Sequence, residues 1–383
     1  MHIDRAIKAQ LLDSVLHSNK VTMLYGPRQA GKTTLSKDVL RETGLRYLPV
    51  NADQMRYLDV LSSRDLSQLR ALTEGYDLLF IDEGQRVPEI GITLKILHDE
   101  LPGLKVLVTG SSSFLLSGRV NESLAGRKKI YTLLPVAMHE LAGHYNRFEL
   151  DSQLSDRLVY GSYPEVITRS GISDRQEYLH DIASSYVYKD ILELEQIKYP
   201  FKIRDLLKLL AFQVGSQVSI HELCQKLGLN RDTVERYLDL LEQSFVIFRL
   251  PALSRNPRKE ISKSVKYYFY DNGIRNVMID HFKPLDDRND TGALWENFLI
   301  VERRKLLLRD RKPLNTWFWR TYAGTEIDYI EESEGAIRAY EIKYAKTGRP
   351  GPPKSWLEQY GGPYQIINRE NYPEFILPNP LSG

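Results

Sequence analysis

Residues 26–34 read Gly26-Pro27-Arg28-Gln29-Ala30-Gly31-Lys32-Thr33-Thr34, a G-x-x-x-x-G-K-T spacing with strand-like sequence before it and helix-like sequence after it. Val21-Thr22-Met23-Leu24-Tyr25 is a short apolar run rich in β-formers, the pattern of a strand covered on both faces. Behind the loop, Leu35, Val39 and Leu40 recur at helical spacing until Gly44 stops the run. A strand turning through glycines into a helix N-terminus builds a concave array of backbone N–H groups, and such an array holds a polyphosphate. The glycines let the main chain approach the oxygens with no Cβ in the way. Lys32 then supplies a point charge to the β- and γ-phosphates, and the Thr33 hydroxyl reaches Mg²⁺. The bland alternative is a glycine-rich β-to-α turn with a surface lysine. It leaves unexplained why strand, spacing and helix coincide. All nine residues are therefore expected to line the bound phosphates.

Beyond the loop, strand and helix patterns alternate as a doubly wound parallel sheet requires. Arg46–Val50 reads as a strand and Asp65–Leu72 as a helix. Asp77-Leu78-Leu79-Phe80-Ile81-Asp82-Glu83 is an apolar strand ending in two carboxylates, at the sheet edge where ligands bind in such folds. Asp82 is the expected partner of the Mg²⁺ hydration shell, and Glu83 the base that orients and deprotonates a water. Leu104–Val108 is a further strand, followed by Thr109-Gly110-Ser111-Ser112-Ser113. Ser111 is read either as a γ-phosphate sensor or as an ordinary turn serine. Arg119 and Arg127, each after a glycine, are read either as arginines donated in trans to a neighbour's phosphate or as solvated surface groups.

The strings GPRQAGKTT, FIDE, TGSSS and SLAGR together resemble the AAA-type ATPase domain of a large family of bacterial and archaeal ATP-binding proteins. In that family the ATPase is followed by a C-terminal domain of unknown function. YGSYPEV (160–166), VYKDILE (187–193), YYFYDNGIRN (267–276) and WENF (295–298) extend the resemblance over nearly the whole chain. It implies ATP and Mg²⁺ as ligands and a homo-oligomer as the working form.

Residues 146–200 read as a helical connector, with helices at Leu154–Tyr160 and Arg175–Glu195 and a fixed turn at Tyr163-Pro164. Tyr186, Tyr188 and Ile191 are expected to pack. Residues 201–258 read as a winged helix-turn-helix. Ser219 caps one helix, Gly228 turns the chain, Asn230 caps Arg231–Gln243, and Phe245–Leu250 is a strand. Within 231–243 two basic residues stand against four acidic ones, a poor charge for a helix entering a phosphate-lined groove. Residues 254–266 carry five basic residues against one acid. Contact with duplex or single-stranded DNA is expected there and through the C-terminal domain. The rival reading is a packing module with a solvated basic loop.

Residues 259–383 carry Thr325-Glu326-Ile327-Asp328-Tyr329-Ile330 and Tyr340-Glu341-Ile342-Lys343-Tyr344, both alternating with period 2. A turn at Glu334-Gly335 sets Asp328 opposite Glu341, with Lys343 two positions on. Two carboxylates for Mg²⁺ and a lysine beside them are what a metal-dependent phosphodiesterase needs. Glu296 on the preceding helix is a further candidate acid. The set resembles the PD-(D/E)xK restriction-endonuclease-like core, without its Pro-Asp pair. The rival is a hairpin whose charged face is simply wet.

The 383 residues thus divide as 1–145 (P-loop ATPase), 146–200, 201–258 and 259–383, an α/β multidomain chain. Charge is nearly balanced, 52 basic against 50 acidic residues, so any nucleic-acid footprint must be local. One cysteine, Cys224, excludes an internal disulfide framework and fits a reducing compartment. With no membrane-length apolar run and no signal-peptide core at Met1–Arg5, the expected location is cytoplasmic, with no membrane partner.

Overall fold

The inner strands of the N-terminal region are covered on both faces, as strands between two helix layers must be. The computed structural model describes residues 2–111, 123–184, 199–254, 265–313, 315–321, 323–333, 335–345 and 351–378. Contacts divide the chain into two units, His2–Pro135 with Gln243–Phe245, and Val136–Glu242 with Val246–Gly383.

In the first unit β1 (Val21–Tyr25), β2 (Tyr47–Asn51), β3 (Leu78–Asp82), β4 (Lys105–Gly110) and β5 (Lys128–Thr132) form one sheet in the order β2-β3-β4-β1-β5. Every neighbouring pair is parallel, as expected of a P-loop fold. On one face Leu24, Phe80 and Leu107 pack with α1 (Lys8–His17) and α2 (Lys32–Thr43), through Leu11 and Val39. On the other, Met23, Ile81 and Val108 pack with α3 (Met55–Ser63), α4 (Leu66–Thr73) and α5 (Ile90–Glu100), through Leu61, Leu69 and Leu94. Successive residues on one strand alternate between the two clusters, which is why these strands read as unbroken apolar runs. Asp65 caps α4 by accepting from Gln68 N at 2.9 Å. The order has one consequence for function: β4 stands between β1 and β3.

The second unit begins with helices, among them α6 (Leu154–Tyr160) and α7 (Ile172–Ile182). The helix expected over 175–195 is described only to 184, so Tyr186, Tyr188, Ile191 and the string VYKDILE lie outside the described residues. Then come α8 (Pro200–Phe212), β6 (Gln217–Val218), α9 (Ile220–Leu227), α10 (Arg231–Gln243), β7 (Ile247–Pro251) and β8 (Val265–Phe269). Ser219 caps α9 (Glu222 N to Ser219 Oγ, 3.3 Å), Gly228 takes a φ of 63°, and Asn230 caps α10 (Thr233 N to Asn230 Oδ1, 2.8 Å). β6, β8 and β7 form a small antiparallel sheet. Arg249 on β7 holds Asp239 and Glu242 of α10, which accounts for two of that helix's acids.

α11 (Asn272–Met278) and α12 (Thr291–Arg309) lead to a second sheet of β9 (Thr316–Arg320), β10 (Glu326–Ser333), β11 (Ala336–Ile342) and β12 (Tyr364–Ile367), in the order β12-β11-β10-β9. The hairpin pairs Tyr329 with Tyr340 and Ser333 with Ala336, the register expected from a turn at Gly335. Neither face of β10 is wet, however, because Ile327 through Glu331 are all buried. A bulge against β9 between Ile327 and Ile330 lets both enter one apolar cluster with Trp319 and Trp356.

Three family strings prove to be internal fasteners. Asp271 of YYFYDNGIRN accepts from Ser162 N of YGSYPEV at 2.7 Å and from Gly273 N at 2.8 Å. Asn276 donates to the carbonyls of Leu158 and Val159, and Asn297 of WENF donates to Asn272 and Phe269 O. Buried side-chain amides and a carboxylate thus satisfy backbone groups at the ends of α6 and β8, which would otherwise be stranded away from water. Among the described residues no helix is long and apolar enough to cross a membrane.

Candidate functional site

The loop between β1 and α2 owes its shape to two backbone positions. Gly26 has φ 150°, and a Cβ there would lie 1.9 Å from the carbonyl oxygen of Leu133 just beyond β5. Gly31 caps α2 in the left-handed region at φ 96°. α2 starts at Lys32, so the first N–H groups of the helix face the loop without intrahelical partners. Lys32 is buried, and its ammonium donates to the carbonyls of Gly26 (2.9 Å) and Pro27 (2.8 Å), closing the loop on itself. Gln29 holds φ 58°, and Ala30 is fully buried. Arg28 is half-buried and Thr34 exposed.

The Thr33 hydroxyl donates to both oxygens of Asp82, at 3.0 and 3.2 Å. A hydroxyl and a carboxylate at that separation are hard oxygen donors of the kind Mg²⁺ takes. With Lys32 next to them, the residues present fit a magnesium nucleotide. Glu83 leaves β3 in the left-handed region at φ 58°. The structure thus brings Thr33 and Asp82 together, with Glu83 the next residue along the chain.

Three residues that the sequence does not single out complete the arrangement. The Thr109 hydroxyl at the end of β4 donates to Asp82 and accepts from Glu83 N at 3.2 Å. Gln85 donates to the Glu83 carboxylate and accepts from Ser111 N at 3.1 Å. Ser111 is buried at this edge, fastened by its main chain. Arg5 donates to Ala30 O (2.7 Å) and Leu134 O (2.6 Å), tying the loop to the chain beyond β5. Only the string FIDEGQ hints at Gln85. Nothing local signals Arg5.

Arg119 lies outside the described residues. Arg127 N-terminally flanks β5, its carbonyl accepting from Val21 N at the start of β1. That is the sheet edge opposite Gly26–Thr34, since β1 and β5 run parallel. Its guanidinium pairs with Asp99 at 2.8 Å and holds that carboxyl at about 2, with His98 assisting. Arg127 is thus no ligand of its own chain's loop.

In the second unit, Ile342 N donates to Asp328 Oδ2 at 2.8 Å, and Lys343 pairs with Glu341 at 2.6 Å. The other Glu341 oxygen is buried without a hydrogen-bond partner. Burial, then the Asp328 charge, pushes the Glu341 carboxyl up. Burial likewise raises Asp328, against the opposing pull of Lys266. Lys266 comes from β8, and its ammonium lies 2.5 Å from Glu326, 3.3 Å from Glu296 and 4.0 Å from Asp328. Burial works against that charge, but the three carboxylates more than offset it and Lys266 is raised. Glu296 also accepts from the Tyr268 hydroxyl at 2.6 Å, and burial pushes its carboxyl up to about 7. Among the described residues no three His, Cys, Asp or Glu side chains converge as a metal set. Asp328 and Glu341 come from the neighbouring strands β10 and β11. Of the basic run 254–266, residues 255–264 lie outside the described residues. Lys266 is corrected from a surface charge to a buried one.

Residues 18–142 match an AAA domain. Residues 151–285 and 291–370 match two domains of unknown function, DUF8612 and DUF4143. The uncharacterized protein Rv2008c of Mycobacterium tuberculosis is 32% identical over 352 residues, 91% of this chain and 75% of its own. The uncharacterized protein MJ1544 of Methanocaldococcus jannaschii is 25% identical over 369 residues, 91% and 79% of the two chains. Among solved structures, the Walker-type ATPase paby2304 of Pyrococcus abyssi is 16% identical with a TM-score of 0.49, covering 73% of this chain and 96% of its own.

Proposed function

The chain belongs to the family of AAA-domain proteins represented by its mycobacterial relative, and on that premise we propose that it is a Mg²⁺-dependent ATPase. The observation that carries this reading is the Thr33–Asp82 hydrogen bond beside the buried Lys32 ammonium. The amides of Gly26–Thr34 would bind the phosphates and Lys32 would neutralise the β- and γ-oxygens. Thr33 and Asp82 would hold Mg²⁺, which supplies charge stabilisation at the transferring phosphoryl group. Glu83 would take the proton of the attacking water, kept in place by Gln85. ADP and inorganic phosphate are the products. Ser111 is read as steadying Gln85 through its main chain. Arg127 is kept as a trans-acting candidate in a homo-oligomer. The test is steady-state phosphate release with and without Mg²⁺. Glu83→Gln is expected to retain ATP binding and lose roughly 10²–10⁴-fold in kcat. Hydrolysis at the wild-type rate in that variant would remove Glu83 from the role.

For the second unit we propose a nuclease-like, DNA-interacting module, with a winged helix at 201–258 and Asp328, Glu341 and Lys343 as its phosphodiesterase set. The buried Glu341 oxygen that accepts no hydrogen bond supports a cation-binding role there. A second reading is a nucleotide-gated scaffold that binds protein or nucleic acid without cutting it. The Lys266 ammonium among the carboxylates favours it, because an internal cation removes the need for a metal. Assays on single- and double-stranded DNA, with Mg²⁺ or Mn²⁺ and with or without ATP, separate the two. Cleavage lost in Asp328→Ala with ATP turnover intact supports the first. Tight ATP binding with no cleavage supports the second.

A further inference from the structure

The helix α8 buries Ile203, Leu206, Leu207, Leu210 and Ala211, the stripe of an amphipathic helix laid on a core. Its opposite face does not carry the polar residues that this pattern calls for at every position. Phe201 is 59% exposed and Phe212 is 70% exposed. Arg204 and Lys208 lie exposed between them, and the Lys202 ammonium stands 5.5 Å from the Phe201 ring. The Tyr199 ring meets Phe201 edge-on at 6.3 Å. Over residues 199–212 three basic side chains stand against one acid, Asp205. Beside Phe212, Arg204 and Lys208 runs an open groove of about 460 Å³, lined also by His180 of α7 and Met278 of α11. The acid in that groove, Asp280, is engaged by His180 at 3.4 Å.

A protein-docking patch is a contiguous apolar surface. The two rings are not contiguous, because at about 1.5 Å per residue positions 201 and 212 lie roughly 16 Å apart along the helix. Separated aromatic platforms with cations between them are what a single nucleic-acid strand uses, bases stacking on the rings and phosphates meeting the lysines and arginines. In a duplex the base faces are covered by neighbouring pairs, so only the cations remain useful to it. The helix α10, which in a winged helix would enter a groove, offers less. Its Arg231 is tied to Glu235 at 2.8 Å, and Arg249 of β7 is spent on Asp239 and Glu242.

We propose that the outward face of α8 binds a single nucleic-acid strand, with Phe201 and Phe212 stacking on bases and Lys202, Arg204 and Lys208 meeting phosphates between them. The contact then sits on the first helix of the winged region and not on the helix that such folds usually present to DNA. This rests on the reading of the second unit as DNA-interacting, and the experiment separates the two claims.

Fluorescence anisotropy follows a labelled oligothymidylate of about 20 nucleotides, and a duplex of the same length, titrated with the full, nucleotide-free chain in the presence of EDTA. The wild type is expected to bind the single strand at least about tenfold more tightly than the duplex. Phe201→Ala and Phe212→Ala are each expected to weaken that binding at least about fivefold with the salt dependence unchanged, and Phe212→Tyr to retain it. Lys208→Gln is expected to weaken it and to reduce the slope of log affinity against log salt by about 0.7, the share of one phosphate contact. A wild type that binds the strand while the phenylalanine and lysine variants bind it equally well overturns the proposal and leaves a DNA contact elsewhere in the chain. A wild type that binds neither oligonucleotide overturns both the proposal and the reading beneath it. Self-association of the wild type that Phe212→Ala abolishes, with no oligonucleotide bound, makes this face a contact between copies and overturns the proposal as well.

Discussion

Thr33 and Asp82, 49 residues apart in the chain, meet at 3.0 Å because β1, whose loop leads into Thr33 at the start of α2, and β3, which ends at Asp82, finish at the same edge of one parallel sheet. The contact joins the phosphate loop to the acidic strand. It is braced by Thr109, whose hydroxyl reaches both Asp82 and the amide of Glu83. A preformed pair of oxygen donors loses little freedom on taking up a cation, which is how a rigid first shell gains affinity.

Arg5 is expected to act on nucleotide binding rather than on turnover. Its hydrogen bonds to the Ala30 and Leu134 carbonyls anchor the loop to the chain beyond β5. A charged donor bond to the main chain contributes about 1.5–3 kcal/mol. Arg5→Met should therefore raise KM for ATP by roughly tenfold or more with kcat nearly unchanged. Arg5→Lys, which can still reach one carbonyl, should recover part of the loss. Equal falls in kcat and kcat/KM would assign Arg5 to the chemistry instead.

Gly161 is expected to be irreplaceable for stability. Its φ of 76° disfavours any L side chain, and a Cβ would lie 1.9 Å from Asp271 Oδ1, the hub that fastens YGSYPEV to YYFYDNGIRN. Gly161→Ala should cost roughly 2–4 kcal/mol of unfolding free energy, from backbone strain plus overpacking. Chemical denaturation of the purified variant checks this. A loss below about 0.5 kcal/mol, the range of an ordinary surface change, would show that the fastener carries no weight.

Asp290 links stability to pH. Burial would raise its carboxyl, but the bidentate Arg288 contact (2.8 and 2.9 Å) and Arg275 more than offset that and hold it at about 2. The unfolded value is about 3.9, so between pH 4 and pH 2 the unfolded chain binds more protons. The stabilisation is complete above about pH 4 and is lost as pH falls through about 2. Discounted for partial solvent contact, it is roughly 1–2 kcal/mol. Asp290→Asn should lower the melting temperature at pH 7, with the gap closing near pH 2. A gap that does not change with pH would contradict the linkage.

What was legible in the sequence was local. The strand, loop and helix around Lys32 and the acids ending β3 are each written within a dozen residues, and the hairpin register follows from alternation around Gly335. Strand order is not written locally. Because β4 lies between β1 and β3, Thr109 rather than Ser111 supplies the hydroxyl that touches Asp82. Arg5 finds its partners 25 and 129 residues away, so no spacing rule could reveal it. Arg127 follows a glycine in a plausible position, yet the parallel direction of β5 carries it to the opposite edge. Asp328 reads as one face of a half-wet hairpin, but β10 is internal and covered on both sides. Its charge is tolerated because Lys266, which reads as part of a basic surface run, turns inward to meet the acids.

The central claim is a magnesium nucleotide on Gly26–Thr34. It is tested most directly by calorimetric titration of ATP, with Mg²⁺ present, into the wild type and Lys32→Ala. The wild type should bind one nucleotide per chain, and Lys32→Ala should bind at least about 100-fold more weakly, the loss expected when a buried charged contact worth about 3 kcal/mol is removed. No affinity in the wild type for any nucleoside triphosphate, or equal affinity in the two proteins, would contradict it.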